Sequence, residues 1–174
     1  MIAVADREYG CIPRLKFLSE SVEELSKKCT YQGFDIAVSN MSLITMPNLD
    51  EAVKAINSLI LPGGLFVLNI THPCFYNQYR KYQSDKNFEY HVSHAQKGQF
   101  MISNDSSGLP SQTTHYHRPL SEYFRSLRDA SFIIDALVEP FPNKCSERLF
   151  SKPWKVPHFL SLRCIKARAM CDST

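Results

Sequence analysis

The chain has 174 residues with 44% hydrophobic and 21% charged content, and its formal net charge is +3. This length suits one domain around a single core, and the scattered Lys and Arg residues form no basic run of the kind that binds nucleic acid or a membrane surface. Since no apolar stretch reaches about 18 residues and the first residues lack the layout of a signal peptide, we expect a cytoplasmic protein whose partner is a small molecule.

None of the six cysteines is close enough to another for a CxxC pair, which predicts reduced thiols and no zinc site. Two histidine pairs stand out, His91 with His94 and His115 with His117. Neither pair has a carboxylate or thiol at matching spacing, so no metal site is expected.

The first forty residues predict a strand, a short helix and a second strand. The strand is expected in RLKFLSES, which begins at Arg14, and the helix in SVEELSKKC, whose apolar residues recur at helical spacing. The second strand, FDIAVSN, follows Gly33 and is almost continuously apolar. Continuous apolarity predicts a strand covered on both faces, as in a parallel sheet.

A helix is predicted after Pro47. Asn48 can cap it, and Glu51 three residues later completes a capping-box pattern. Five residues form one apolar stripe on this helix: Leu49, Ala52, Val53, Ile56 and Leu59. The Pro62-Gly63-Gly64 turn ends the helix, and Leu65 to Ile70 form the next strand, which gives a βαβ unit with parallel strands.

Residues 73 to 118 carry no sustained period and are rich in aromatic and polar residues. Such a stretch predicts a lid or substrate-binding insertion, and a surface excursion that contains a hairpin is the alternative. A helix is predicted next, in PLSEYFRSLRDA. FIIDALVEP and HFLSLRCIKA predict two further strands, antiparallel because no obvious crossover helix links them.

Three segments together resemble the second half of a class I S-adenosylmethionine-dependent methyltransferase of the small-molecule type: residues 34–75, residues 116–142 and HFLSLRCIKA. The resemblance covers residues 1–167. It implies one partial α/β domain over residues 1–174, with an N-terminally truncated, three-layer Rossmann-like sheet that is mostly parallel and has an antiparallel last strand. The implied function is in-line methyl transfer from S-adenosyl-L-methionine to a small organic molecule. A catalytically silent methyltransferase-like protein or fragment that acts through a partner is the alternative.

The resemblance also implies which residues meet the cofactor. It places Asn40 and Met41 beside the methionine part, and Glu20, Ser21 and Val22 beside the adenine, at the carboxyl ends of strands. The alternatives are that Asn40 caps the end of a strand and that Glu20 is a solvated turn residue.

The sequence departs from the family's pattern in its first residues. It has no GxGxG loop and no following strand that ends in Asp or Glu, and residues 1–9 resemble the helix after the family's second strand. The resemblance thus implies weak or absent cofactor binding by this chain alone. It also implies that FDIAVSN becomes an apolar edge strand, which would pair with the third strand, with a second copy in a homodimer, or with another chain.

On the acceptor side, the resemblance makes His72 and His117 the candidate catalytic residues, because an imidazole can accept a proton near neutrality. Arg118 would hold an anionic group of the substrate. Aromatic residues would wall its pocket: Phe75, Tyr76, Tyr79 and Tyr116. The alternatives are that His72 hydrogen-bonds its own loop, that Arg118 pairs with Glu122, and that the aromatic residues only bury the lid.

Overall fold

The computed structural model describes residues 2–28, 33–75, 88–99, 112–148 and 153–168. Its helices are α1 (Ile2–Tyr9), α2 (Val22–Ser26), a 3-10 helix (Leu43–Thr45), α3 (Leu49–Leu59), α4 (Leu120–Asp129) and α5 (Lys144–Glu147). Its strands are β1 (Phe34–Asn40), β2 (Ile60–Thr71), β3 (His94–Gln99), β4 (Gln112–His117), β5 (Phe132–Val138) and β6 (Phe159–Lys166). None of the helices in these ranges has the length and apolarity needed to cross a membrane.

The central sheet has four strands in the order β1-β2-β6-β5. β1 and β2 pair in parallel, whereas β6 runs antiparallel to both β2 and β5. β1, β2 and β5 therefore share one direction, and the last strand is inserted between two of them in the opposite direction. This topology confirms the predicted βαβ unit and the mostly parallel sheet with an antiparallel last strand.

One face of this sheet is packed against α3 and α4. The side-chain oxygen of Asn48 accepts a hydrogen bond from the Glu51 amide and caps α3 as predicted. All five residues of the predicted apolar stripe of α3 are buried, and all of them except Leu59 join Phe66, Leu68 and Leu162 of the sheet in one core. Each fully buried aliphatic or aromatic side chain contributes roughly 1.5–3 kcal/mol, so this layer carries most of the hydrophobic stabilisation.

The opposite face of the sheet is exposed. A cross-strand row on this face runs from Ile36 through Leu65 and Ile165 to Ile133, and its two ends, Ile36 and Ile133, are 55% and 57% exposed. Val38 is 72% exposed. The prediction that β1 is covered on both faces is wrong, because no helix in the described ranges supplies the third layer there. β1 is instead the apolar edge strand that the family resemblance implies.

The strand predicted in RLKFLSES does not form. Residues 11–14 make turns, residues 15–19 have no regular structure, and Arg14 has a positive φ of 69°. A strand is stable only beside a hydrogen-bonded neighbour, and the described strands leave Leu15 and Leu18 without one, at 40% and 37% exposure. RLKFLSES is the segment that was expected to form the third strand of the family's sheet. The predicted pairing of that third strand with β1 is therefore also wrong for this structure.

The Pro62-Gly63-Gly64 stretch lies inside β2 and does not separate the helix from the strand, because α3 already ends at Leu59. Phe34 pairs with Ile60 but Ile36 pairs with Leu65, so β2 carries extra residues that bulge out of the ladder. Gly63 has a φ of +82°. A Cβ at Gly64 would lie 2.5 Å from Ile60 Cγ2, so only glycine fits this position.

β3 and β4 form a separate two-stranded antiparallel sheet within the predicted lid. A hairpin is compatible with both a lid and a surface excursion, so the binding role of residues 73–118 stays a prediction. Two residues of the predicted acceptor-side wall, Tyr76 and Tyr79, lie outside the described residues.

Candidate functional site

Three polar residues lie at one edge of the central sheet. Because β1, β2 and β5 share a direction, their carboxyl ends lie at the same edge, where ligands bind in open α/β sheets. Asn40 ends β1, His72 directly follows β2, and Glu139 directly follows β5. Glu139 was not predicted as a site residue, although its position after a strand was the signal that singled out His72.

Asn40 belongs to a hydrogen-bonded series that crosses three strands. Asn69 donates its side-chain N–H to the Asn40 side-chain oxygen at 2.9 Å. Ser161 donates its hydroxyl to the Asn69 side-chain oxygen at 3.0 Å. These bonds fix the orientation of the exposed Asn40 amide at the end of β1.

Met41 turns the chain sharply after β1. Its φ is +59°, a left-handed conformation that costs a non-glycine residue roughly 1–2 kcal/mol. The Met41 amide donates to the Asn69 carbonyl at 2.8 Å, and the hydroxyls of Ser39 and Ser42 lie 2.6 Å apart across the turn. Strained backbone of this kind clusters at ligand sites.

A cavity of about 250 Å³ lies beside this turn. Val22 lines it, and Ser39 and Ser42 supply polar groups to a lining that is otherwise mainly apolar. Of the other residues predicted near adenine, Ser21 forms a capping box with Glu24 at the start of α2, and Glu20 forms a 2.6 Å ion pair with Lys28. The S-x-x-E spacing of the capping box could have been found in the sequence.

His72 is held on both sides of its ring. Its side chain is 3% exposed, and its Nε2 lies 2.8 Å from Oε1 of Glu139. The Cys74 amide donates to Nδ1 at 3.2 Å. These contacts fit the alternative in which His72 hydrogen-bonds its loop, and its role as a base stays a prediction.

His117 is a buried residue at the end of β4. Its Nε2–H donates to the Tyr90 carbonyl at 2.8 Å, and the rings of Phe88 and His94 lie 5.1 Å from its own. Burial lowers the pKa of His117 below its ordinary value of 6.5, and the neighbouring His94 lowers it further. The imidazole is therefore neutral at pH 7.

Arg118 is 4% exposed and donates to backbone carbonyls of Leu43, Met46 and Pro47. Its Nε also lies 3.4 Å from Glu122, which confirms the predicted pairing of these two residues. Most of the guanidinium N–H groups are thus occupied within the protein. A role in binding an anionic substrate stays a prediction.

The structure brings the predicted acceptor-side residues together without leaving room between them. Thr71, His72, Tyr116, His117 and Arg118 surround a space of only about 10 Å³, which is about the least that holds one water. Phe75 is half-buried with its ring 4.7 Å from that of His72. The space between these residues therefore excludes any ligand larger than a water molecule.

Solved structures share this fold. One is a structure from Listeria monocytogenes that is described as an S-adenosylmethionine-dependent methyltransferase. It has a TM-score of 0.71 and 17% identity, and the match covers 95% of this chain and 76% of the Listeria chain. An S-adenosylmethionine-dependent methyltransferase from Methanosarcina mazei has a TM-score of 0.62 and 15% identity, and the match covers 97% of this chain and 78% of that one. A Haloferax volcanii methyltransferase in complex with the Trm112 methyltransferase activator has a TM-score of 0.58 and 13% identity, and the match covers 97% of this chain and 68% of that one.

No protein-family model matches the chain, and no curated protein matches it. Identities of 13–17% establish a shared fold and leave the activity open. The strand order, the single antiparallel strand and these likenesses together define the class: the chain has the fold of class I S-adenosylmethionine-dependent methyltransferases.

Proposed function

We propose that this chain is an S-adenosylmethionine-dependent methyltransferase that acts on a small organic molecule. The observation that supports the proposal is that the residues predicted for the cofactor and for the acceptor follow two adjacent parallel strands at one edge of the sheet. Asn40 and Met41 lie at the end of β1, and His72 lies at the end of the adjacent β2. A donor held at the first strand end would face an acceptor held at the second.

The residues on the β1 side fit the cofactor in part. A half-enclosed, mainly apolar cavity with two serine hydroxyls suits a purine ring, and the fixed Asn40 amide can donate to a carboxylate or accept from an ammonium group. When bound, S-adenosylmethionine would supply a methyl group that is already activated by its sulfonium charge. The sequence has no GxGxG loop, so we propose weak binding by this chain alone.

On the acceptor side, residues 73–118 would act as a lid, with His72 and His117 as candidate catalytic residues. The proposed acceptor-side wall consists of Phe75, Tyr76, Tyr116 and Arg118. In-line methyl transfer depends mainly on alignment of the nucleophile with the methyl group. The many contacts of His72 and Arg118 support a role in holding this wall rigid.

The second candidate function is that of a catalytically silent methyltransferase-like protein, which would act by binding a partner on the exposed face of the sheet. The exposed Ile36, Val38 and Ile133 favour it, and a homodimer or another chain paired with β1 would cover part of this surface. For both candidates we propose a cytoplasmic location, because the described cysteines carry free thiols.

Calorimetric titration of S-adenosylmethionine into the purified chain tests the proposal. We expect weak but saturable binding that Asn40→Leu abolishes, whereas Asn143→Leu, at the exposed cap of α5, leaves it unchanged. Transfer of a labelled methyl group to a small-molecule library would then identify the acceptor. Absence of binding at millimolar cofactor would favour the silent protein.

A further inference from the structure

Glu139 and His72 form a pair in which one member is buried and the other faces solvent. The His72 side chain is 3% exposed, whereas that of Glu139 is 46% exposed. The two are 67 residues apart in sequence and meet because β2 and β5 end at the same edge of the sheet. A ligand arriving at this edge therefore reaches the carboxylate before it reaches the imidazole.

The hydrogen bonds determine which nitrogen of His72 carries the proton. The Cys74 amide is a donor, so Nδ1 must accept and has no hydrogen in the neutral ring. The remaining proton is on Nε2, which donates to Oε1 of Glu139 at 2.8 Å. In this tautomer His72 is uncharged and leaves the negative charge of the carboxylate uncompensated.

No lysine or arginine among the described residues forms an ion pair with Glu139, whose recorded partner is the neutral His72 ring. The half-buried Phe75 ring packs against His72, with 4.7 Å between the ring centroids. A fixed, uncompensated carboxylate attracts a cation, and an aromatic ring near the same edge favours an organic one.

We propose that Glu139 is the residue that binds the methyl acceptor, that the acceptor carries a cationic amine, and that His72 is the positioning residue for the carboxylate. The inference rests on the proposed methyl transfer. It gives the contact with the acceptor to Glu139, whereas the family resemblance gives it to His72. An imidazole with both nitrogens bonded would have to break a contact before it touched a ligand. The exposed half of the carboxylate needs no such rearrangement.

Equilibrium binding of a probe tests this assignment without the cofactor. We would titrate benzylamine, and benzoate as its charge-reversed counterpart, while following the backbone amide signals of Phe75 and Glu139 by NMR. Benzylamine is expected to bind and benzoate is not. Glu139→Gln keeps the shape and an oxygen for the Nε2–H but removes the charge, so it should weaken benzylamine by about tenfold or more, the size of one bond to a charged group.

Two further variants separate positioning from general effects. His72→Phe keeps a ring but cannot donate to the carboxylate, so we expect a smaller loss of benzylamine affinity. Glu147→Gln removes an exposed acidic residue of α5 and should leave the affinity unchanged. Equal affinity of wild type and Glu139→Gln, tighter binding of benzoate, or no benzylamine binding at all would each overturn the inference.

Failure here and failure of the proposed function have different signatures. Carboxylate-dependent benzylamine binding in a protein that transfers no methyl group would support the amine site and overturn the methyltransferase. Methyl transfer to a neutral or anionic acceptor that is unaffected by Glu139→Gln would support the methyltransferase and overturn the amine site.

Discussion

Arg118 and Leu43 lie 75 residues apart in the chain, yet a guanidinium N–H of Arg118 donates to the Leu43 carbonyl at 3.2 Å. Through this bond and those to Met46 and Pro47, the residue that enters α4 holds the segment between β1 and α3. If the guanidinium were removed, the Met46 and Pro47 carbonyls would lose its bonds, and the Leu43 carbonyl would keep only the Met46 amide at 3.3 Å.

Arg118→Leu should therefore destabilise the protein by about 3 kcal/mol or more, as expected when one side of a buried charged network is lost. Arg118→Lys should recover only part of the loss, because one ammonium cannot reach three carbonyls in the geometry of a guanidinium. Urea denaturation measures both. Arg128→Ala is the matched control, since Arg128 is 76% exposed and should cost less than about 1 kcal/mol.

The exposed sheet face predicts self-association at high concentration. Val38→Lys places a charge on this face, where Val38 is 72% exposed, and should lower the average mass seen by light scattering with a stability change within about 0.5 kcal/mol. Glu51→Lys changes the charge on the exposed side of α3 and should not lower the mass. A wild-type protein that is monomeric at every concentration would rule out pairing between two copies.

Stability should fall as the solution becomes acidic because of His117. Burial lowers the pKa of His117 in the folded protein below 6.5, the value expected in the unfolded chain. Between those two pKa values the unfolded chain binds more protons than the folded protein, so the free energy of unfolding rises with pH. The contribution of His117 to stability is therefore present above about pH 6.5 and is lost as the pH falls below that value. Burial lowers the pKa of His158 in the same direction.

We would measure the midpoint of urea denaturation at several pH values. Between pH 7 and pH 5 this midpoint should fall less in His117→Gln than in wild type. Its midpoint at pH 7 should be lower, because the contact with the Tyr90 carbonyl changes. His91→Gln is the control, since the His91 side chain is 79% exposed. An identical slope in wild type and His117→Gln would show that this residue does not carry the acid dependence.

Cys164 should resist alkylation in the folded protein. Burial raises the pKa of its thiol to about 12, with a further contribution from Asp135, and the thiolate is the reactive form. Iodoacetamide at pH 8, followed by peptide mass spectrometry, should label Cys164 at least about tenfold more slowly than the exposed Cys11. Equal labelling rates would mean that β6 opens readily.

Sequence reasoning succeeded where the chain's local pattern and its packing agree. The helix with Asn48 as its cap, and the strands that flank it, combine propensity, capping and a buried apolar face. RLKFLSES failed because an apolar run specifies a strand only when a neighbouring strand supplies hydrogen bonds, which a local pattern cannot show. The exposure of β1 was missed for the same reason, since burial is decided by elements far away in sequence.

Only part of the candidate site was accessible from the sequence. His72 and Asn40 were assigned from the family resemblance, each at the end of a strand of the βαβ unit, and their roles stay predictions. The role of Glu139 depends on β6 being inserted between β2 and β5, which brings the end of β5 within 2.8 Å of His72. Periodicity contains no information on that distance, although the position of Glu139 after a predicted strand could have suggested the same edge.

The ladder on one side of β1 has a dynamic consequence. In the described part of the chain β1 is hydrogen-bonded to β2 alone, whereas β2 is bonded to β1 and β6. Opening of β1 therefore breaks one ladder and moves residues that are already largely exposed, so it costs less than opening the centre of the sheet. In hydrogen–deuterium exchange the amides of β1 should lose protection first, and the turn at Met41 beside Asn40 would then be the first part of the site to change shape.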